Sequence, residues 1–359
     1  MPIIRRACSD SGKIASKDDK ATAEDDLNRR EFVTGLVALP ALVGPARAEA
    51  PAIKLGKQYG LPFLPQMVME DRRLIEAHAA SLGVNSLAVV WQTMGGPGAL
   101  NDGLLSGNIQ FVNVASPSLA TLWDKTVGTP QEVRAVCAVQ SMPYILTTRN
   151  PAVKTIADFT SVDRIAVPTV KISGQAMALQ MAAAKLWGFE KYDRLDAFTV
   201  SMGHPDAMQA VVSGQTVNSH FSVAPFNYFE LRLPNIHQVL SSYETDGKHT
   251  NGLQVTTKAF HDANPNVCKA VRAAHEEANA FIKSEPRAAA EIYLKLVNDK
   301  KNSADDLVAM IADPDIDYTT TPANLMKHAA FMHKVGRLKH LPASWKDLFF
   351  PEAHDLDGS

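Results

Sequence analysis

The sequence predicts an α/β fold of two similar lobes, joined by a hinge and separated by a cleft. Three observations lead there. The stretch Thr93 to Ser118, TMGGPGALNDGLLSGNIQFVNVASPS, returns as SMGHPDAMQAVVSGQTVNSHFSVAPF from Ser201 to Phe226, with Gly214 standing 107 residues after Gly107. Strand and helix patterns alternate from Pro51 to Thr257, and beyond Thr257 the pattern is helical only. The alternative is that two unrelated helix-Ser-Gly-strand units look alike because glycine commonly ends a helix.

Taken in order, the chain opens with a polar, low-complexity leader to residue 28. Arg29-Arg30-Glu31-Phe32-Val33, an apolar run to Val43 and the small-residue triplet Ala48-Glu49-Ala50 follow. Together they have the form of a twin-arginine export signal cleaved near residues 48–50. A retained anchor and an accidental arginine pair are the alternatives. The apolar run falls short of the roughly 20 residues that cross a bilayer. The expected destination is the periplasm.

The mature part opens with a strand over Ile53–Gln58, a helix from about Pro65 to Leu82 and a strand over Ser86–Trp91. The first repeat copy, a helix over Leu119–Lys125 and strands over Val133–Val139 and Tyr144–Thr148 come next. A second series holds a strand over Arg164–Pro168, a helix from Gln175 to Trp187, a strand over Leu195–Val200, the second copy and a strand near Gln238–Leu240. The polar stretch Glu244 to Gly252 is the return crossing, and Leu253–Thr257 rejoins the first half. Helices over Pro265–Ser284, Pro286–Asn298, Ser303–Ala312 and Pro322–Val335 complete the chain, with Ser303 and Thr321 as N-caps. The expected lobes are 51–143 with 253–359, and 144–252.

Composition suits a globular protein, with 46% hydrophobic and 21% charged residues and a formal net charge of −2 over 359 residues. There is no basic excess to attract nucleic acid. Cys137 and Cys268 read as two separately buried thiols, with one disulfide as the alternative. No CxxC or HExxH is present, and the five-residue spacing of His328 and His333 puts their rings on different helix faces, so no metal site and no cofactor are expected.

In open α/β sheets the loops at strand C-termini face the crevice. The loops at 59–63, 93–98, 115–118, 169–175, 201–205 and 222–226 should therefore line one cleft. In or beside them are serines, His204, His220 and Asp206, but no G-x-S-x-G elbow, and no catalytic residue is assigned. What they offer is helix N-termini, whose free N–H groups attract anions. Hydroxyls of Thr93, Ser116 and Ser173 and the charge of Lys171 would complete the shell. The expected ligand-binding set is Leu61, Thr93, Gly95, Gly96, Ser116, Pro117, Lys171, Ser173, Gly174, His204, Ser222 and Pro225. The absence of arginine from these loops argues against a bidentate clamp.

The segments GLPFLPQMVMED at 60–71, ALNDGLLSGNIQF at 99–111, IADFTSVDRIAVP at 156–168, SMGHPDAMQAVVSG at 201–214 and ASWKDLFFPEAHDL at 343–356 resemble periplasmic solute-binding proteins of ABC importers, nitrate/sulfonate/taurine class. The resemblance implies the type II periplasmic-binding-protein fold, one small solute held between the lobes of a monomer, and delivery to an ABC permease in the cytoplasmic membrane. It places anion contacts at Thr93, Gly95, Ser116, Ser173 and Gly174, and it leaves the solute open among sulfonates, nitrate, bicarbonate and pyrimidines. An exported enzyme on the same fold and a ligand sensor for a membrane receptor are the alternatives.

Overall fold

The computed structural model describes residues 49–359. The stretch expected to be an export signal, with its arginine pair, lies, up to Ala48, outside the described residues. Among those described, no helix is long and apolar enough to cross a membrane.

The first sheet is built from β1 (Ala52–Lys57), β2 (Ala88–Thr93), β3 (Phe111–Val114), β4 (Val133–Ser141) and β10 (Thr250–Thr257), in the order β2-β1-β3-β10-β4. The second holds β5 (Ile145–Thr148), β6 (Ile165–Val167), β7 (Thr199–Ser201), β8 (Ser219–Ser222) and β9 (His237–Ser241), in the order β7-β6-β8-β5-β9. The two orders superimpose. In each sheet three parallel strands lie side by side, and the fourth place is taken by an antiparallel strand that the chain reaches after crossing from the other sheet. The internal repeat of the sequence is thus a repeat of topology. Gly107 and Gly214, at φ +74° and +71°, end the equivalent helices in the left-handed region that glycine enters at least cost.

The helices that follow parallel strands are α1 (Leu64–Arg72), α3 (Pro97–Leu105), α4 (Ser116–Thr126), α5 (Gly174–Trp187), α6 (His204–Ser213) and α7 (Phe226–Leu231). A short helix, α8 (Ser242–Asp246), fills most of the return crossing and makes it shorter than the sequence suggests. β10 begins at Thr250, three residues early, and pairs with β3 and β4. Behind the first sheet, α10 (Pro265–Ser284) buries Val267, Val271, Ala274, Ala278 and Ile282, one helical stripe, against α1 and α2 (Leu74–Ser81). Further on, α11 (Pro286–Val297), α12 (Ala304–Ile311) and α13 (Leu325–Lys334) complete the chain. Cys137 and Cys268 are both buried and free.

Three expectations are corrected. The helix expected over Pro65 to Leu82 is two helices broken at Arg73, whose φ of 54° and ψ of 44° are left-handed. The strand expected over Leu195–Val200 is a 3₁₀ turn at Asp196–Phe198 and a short β7. Asn324, also left-handed, replaces Thr321 as the N-cap of the last α-helix.

Arg73 supplies a test of the break. Its guanidinium is largely exposed and its pairing with Glu76 at 3.3 Å is of the kind worth little. Arg73→Gly should therefore stabilise the chain by about 1 kcal/mol, by removing the left-handed penalty of a side chain. The expected readout is a higher urea midpoint at unchanged slope, and a lower midpoint would contradict it.

Candidate functional site

A parallel strand followed by a helix delivers the helix start to the strand's C-terminal edge. Six such starts, three from each sheet, border one cleft. Its wall includes Pro62 and Phe63 before α1, Pro97 at the start of α3 and Ala115 at the start of α4. The second sheet supplies Ser173 and Gly174 at α5, His204 at α6 and Val223 before α7. The first N–H groups of a helix have no acceptor within it, and aligned peptide dipoles make each N-terminus worth roughly half a positive charge. Prolines near the starts of α3, α4 and α6 remove one donor from each. None of the residues lining the cavity is a lysine, arginine, aspartate or glutamate.

The sheets meet closely around the cavity, which has a volume of about 50 Å³. Leu61 N–H donates to Ala224 O across the gap at 2.8 Å. On the other side a Cβ on Gly96 would lie 3.1 Å from Pro168 O, and one on Gly203 would lie 3.4 Å from Gly95 O. These glycines let two loops touch backbone to backbone. A larger groove of about 580 Å³ opens elsewhere, but Glu244, Asp313 and Asp315 line it and would repel an anion.

Side-chain amides stand where hydroxyls were expected. Asn113, Gln175 and Asn251 face the cavity and are almost fully buried. Each is anchored from behind. Asn113 Nδ2 donates to Gln66 Oε1 at 3.2 Å, Gln66 Nε2 donates to Gln254 Oε1 at 3.1 Å, and His275 Nε2 reaches the same oxygen at 3.0 Å. Gln140 Nε2 donates to Asn251 Oδ1 at 3.0 Å. In the second sheet the carboxylate of Glu230 lies 2.6 Å from His220 Nδ1, His220 Nε2 lies 2.9 Å from His204 Nδ1, and His204 Nε2 lies 3.2 Å from Gln175 Nε2. Burial, and then the neighbouring His220, hold the His204 pKa well below its ordinary value of 6.5. His204 is thus neutral and accepts from the Gln175 amide, so the chain of side chains ends on an amide and not on a nucleophile. Tyr144 lies over Gly174, and burial pushes its pKa up so that it keeps its O–H.

Of the residues expected from sequence, Ser173, Gly174 and His204 are in the wall. Leu61 is buried beside it, and Gly96 packs on Pro168 and Thr169 at its edge. Pro117 is buried in α4, while Gly95 is exposed. The hydroxyl shell does not form. Ser116 Oγ is bonded to His328 Nδ1 at 2.6 Å, Ser173 Oγ caps the N–H of Ala176, Ser222 Oγ is buried without a partner, and Thr93 is exposed at the end of β2. Lys171 is exposed too, its carbonyl held by Arg337. Pro225 lines a neighbouring groove with Phe226 and Tyr293. His328 and His333 do not meet: His328 is buried and His333 exposed.

The amides carry a signal that the loop argument passed over. Asn113 in FVNVA and His220 in SHFSV stand at matching places in the repeat, each a polar residue inside an otherwise buried strand. Such residues cost free energy unless they are bonded, and so they mark built sites.

No family model and no curated protein matches the chain. Solved structures do. The alkanesulfonate-binding protein SsuA from Xanthomonas axonopodis pv. citri, bound to MOPS, aligns at TM-score 0.65 and 16% identity over 84% of this chain and 98% of that one. The periplasmic nitrate-binding protein NrtA from Synechocystis PCC 6803 aligns at 0.61 and 18% over 83% and 84%. The Candida albicans CA3427 gene product, described as having the generic periplasmic binding protein fold, aligns at 0.60 and 13% over 84% and 96%. The chain has the periplasmic-binding-protein fold. The cleft described above lies between the two sheets, and its six helix starts come from equivalent places of the two sheets.

A buried histidine behind the cleft makes the wall sensitive to acid. Burial lowers the His275 pKa from 6.5 to about 3. The unfolded chain takes up this proton as pH falls below about 6.5, whereas the folded chain does not. The contribution to stability is therefore complete above pH 6.5 and is lost as the pH falls towards 3. His275→Gln should reduce the slope of unfolding free energy between pH 4 and 6 by up to about 1.4 kcal/mol per pH unit. An unchanged slope in urea titrations would contradict the neutral, buried assignment.

Proposed function

We propose that this protein is the extracytoplasmic solute-binding component of an ABC import system and captures a small anionic organic solute, sulfonate-like, in the cleft without altering it. One observation carries the reading: helix starts from two equivalent sheets and three anchored amides converge on a cavity whose lining holds no formally charged side chain. Donors without a fixed cation suit an anion that must be bound and then released. The solved structures of the same fold described as binding alkanesulfonate and nitrate support the choice of anion.

On this reading the two sheets are the cores of lobes formed by 51–143 with 253–359, and by 144–252. The crossings between β4 and β5 and between β9 and β10 are the hinge. A solute that touches both lobes only when they are closed shifts the population towards the closed form. A permease in the cytoplasmic membrane then reads that shape. The protein acts as an exported monomer in the periplasm, its signal removed near residues 48–50, and needs no cofactor for capture.

Calorimetric titration of the mature chain with alkanesulfonates, taurine, nitrate and bicarbonate tests this, with neutral pyrimidines as the comparison. One anion should bind with a stoichiometry of one and raise the melting temperature. Binding of a pyrimidine alone, or turnover of any of these solutes, would overturn the reading. Gly174→Ala should weaken the bound anion about tenfold, roughly 1.4 kcal/mol, because its Cβ would lie 2.0 Å from the Tyr144 hydroxyl and drive that ring from its place. Affinity equal to that of the parent chain would show that the α5 start is not part of the site.

A further inference from the structure

We propose that Asp246, His249 and His328 form a binding site for one divalent transition-metal ion of the zinc type, beneath the cleft at the return crossing. The three side chains are almost completely buried, and one ligand atom from each lies within 4.8 Å of the others. They come from the end of α8, the turn before β10, and α13. Gly247, at φ +76°, ends α8 and lets the chain double back so that His249 faces Asp246.

The hydrogen bonding around them is complete on the outside and missing on the inside. His328 Nδ1 lies 2.6 Å from Ser116 Oγ, and His249 Nε2 lies 2.9 Å from Ser242 Oγ. With each of these nitrogens donating to its serine, the opposite nitrogen carries the lone pair. Those opposite atoms, His328 Nε2 and His249 Nδ1, have no hydrogen-bond partner, and neither oxygen of Asp246 has one. Four buried acceptors on three clustered side chains are thus left unanswered.

A proton on His328 is the competing occupant, but its Nε2 is 3.6 Å from Asp246 Oδ2, too long for a good hydrogen bond, and it would leave His249 Nδ1 and Asp246 Oδ1 unanswered. The ammonium of Lys327 binds the main-chain carbonyls of Thr245 and Asp246, not the carboxylate. A metal ion answers all four acceptors. Two imidazoles and a carboxylate, without thiolate, suit zinc and its neighbours in the first transition row. Hydroxyls that orient the ligating rings from behind are the usual outer shell of such sites. With Asp246 bidentate the ion is four-coordinate and closed to solvent, which makes its role structural: it fastens the return crossing to α13. An ion with bonds of about 2.0–2.2 Å draws the donors together by roughly 1 Å.

The test uses the full chain without an affinity tag, stripped with chelator and titrated with Zn²⁺, and with Co²⁺ as a spectroscopic probe. The expected result is one equivalent of tightly held Zn²⁺, a rise in melting temperature, and visible Co²⁺ bands of tetrahedral intensity. Asp246→Asn should abolish all three. Ser116→Ala and Ser242→Ala, which leave the three ligands in place, should weaken the metal about 10- to 100-fold. They also guard against a misfolded Asp246 variant. Equal metal binding by the parent chain and Asp246→Asn would assign the ion to surface histidines and overturn the proposal. So would a parent chain that gains no stability from Zn²⁺.

Discussion

The structure depends on one constraint, that the free N–H groups at helix starts must find acceptors. Parallel strands send their helix starts to the same edge, and two sheets of the same strand order point those edges at one gap. The gap is therefore rich in donors before any side chain is considered. Neutral amides extend that field without adding a fixed charge, and each is held from behind by a buried partner. The network from Asn113 through Gln66 and Gln254 to His275, and the one from Gln175 through His204 and His220 to Glu230, are the supports. These bonds offset part of the cost of burying polar groups and fix where the amides stand.

Close loops explain why small residues border the gap. Gly96 and Gly203 allow loops from opposite sheets to touch, and Gly174 leaves room for Tyr144. Tyr144 also packs its ring 5.5 Å from that of His249, while Ser116 follows Ala115 in the wall and reaches His328. The cleft and the Asp246, His249 and His328 cluster thus share neighbours, and two of the cluster's residues lie in the return crossing itself.

The repeat made the architecture legible, because Ser106-Gly107 and Ser213-Gly214 end helices at equivalent places of two sheets with matching strand orders. The loops that border the cleft were legible for the same reason. Side-chain direction was not. Ser116 lies in the right loop, yet its hydroxyl turns to His328, more than two hundred residues along the chain, and nothing local marks that partner. Asp246 and His249 are near in sequence, but their third member lies on another helix. Arg73 broke a helix that hydrophobic spacing joined, since a left-handed arginine leaves no compositional trace. Asn113 and His220 were readable as polar residues in buried strands, and attention to loops alone missed them.

The central claim is that an anion is held by helix starts from both sheets at once. A crystal structure of the mature chain grown with its tightest-binding anion tests this most directly. The account predicts density for the anion between Asn113 and Gln175, with its oxygens within hydrogen-bond distance of main-chain N–H groups at the starts of α4 and α5. An anion seated in the groove lined by Asp313 and Asp315, or bound to one sheet alone, would contradict it.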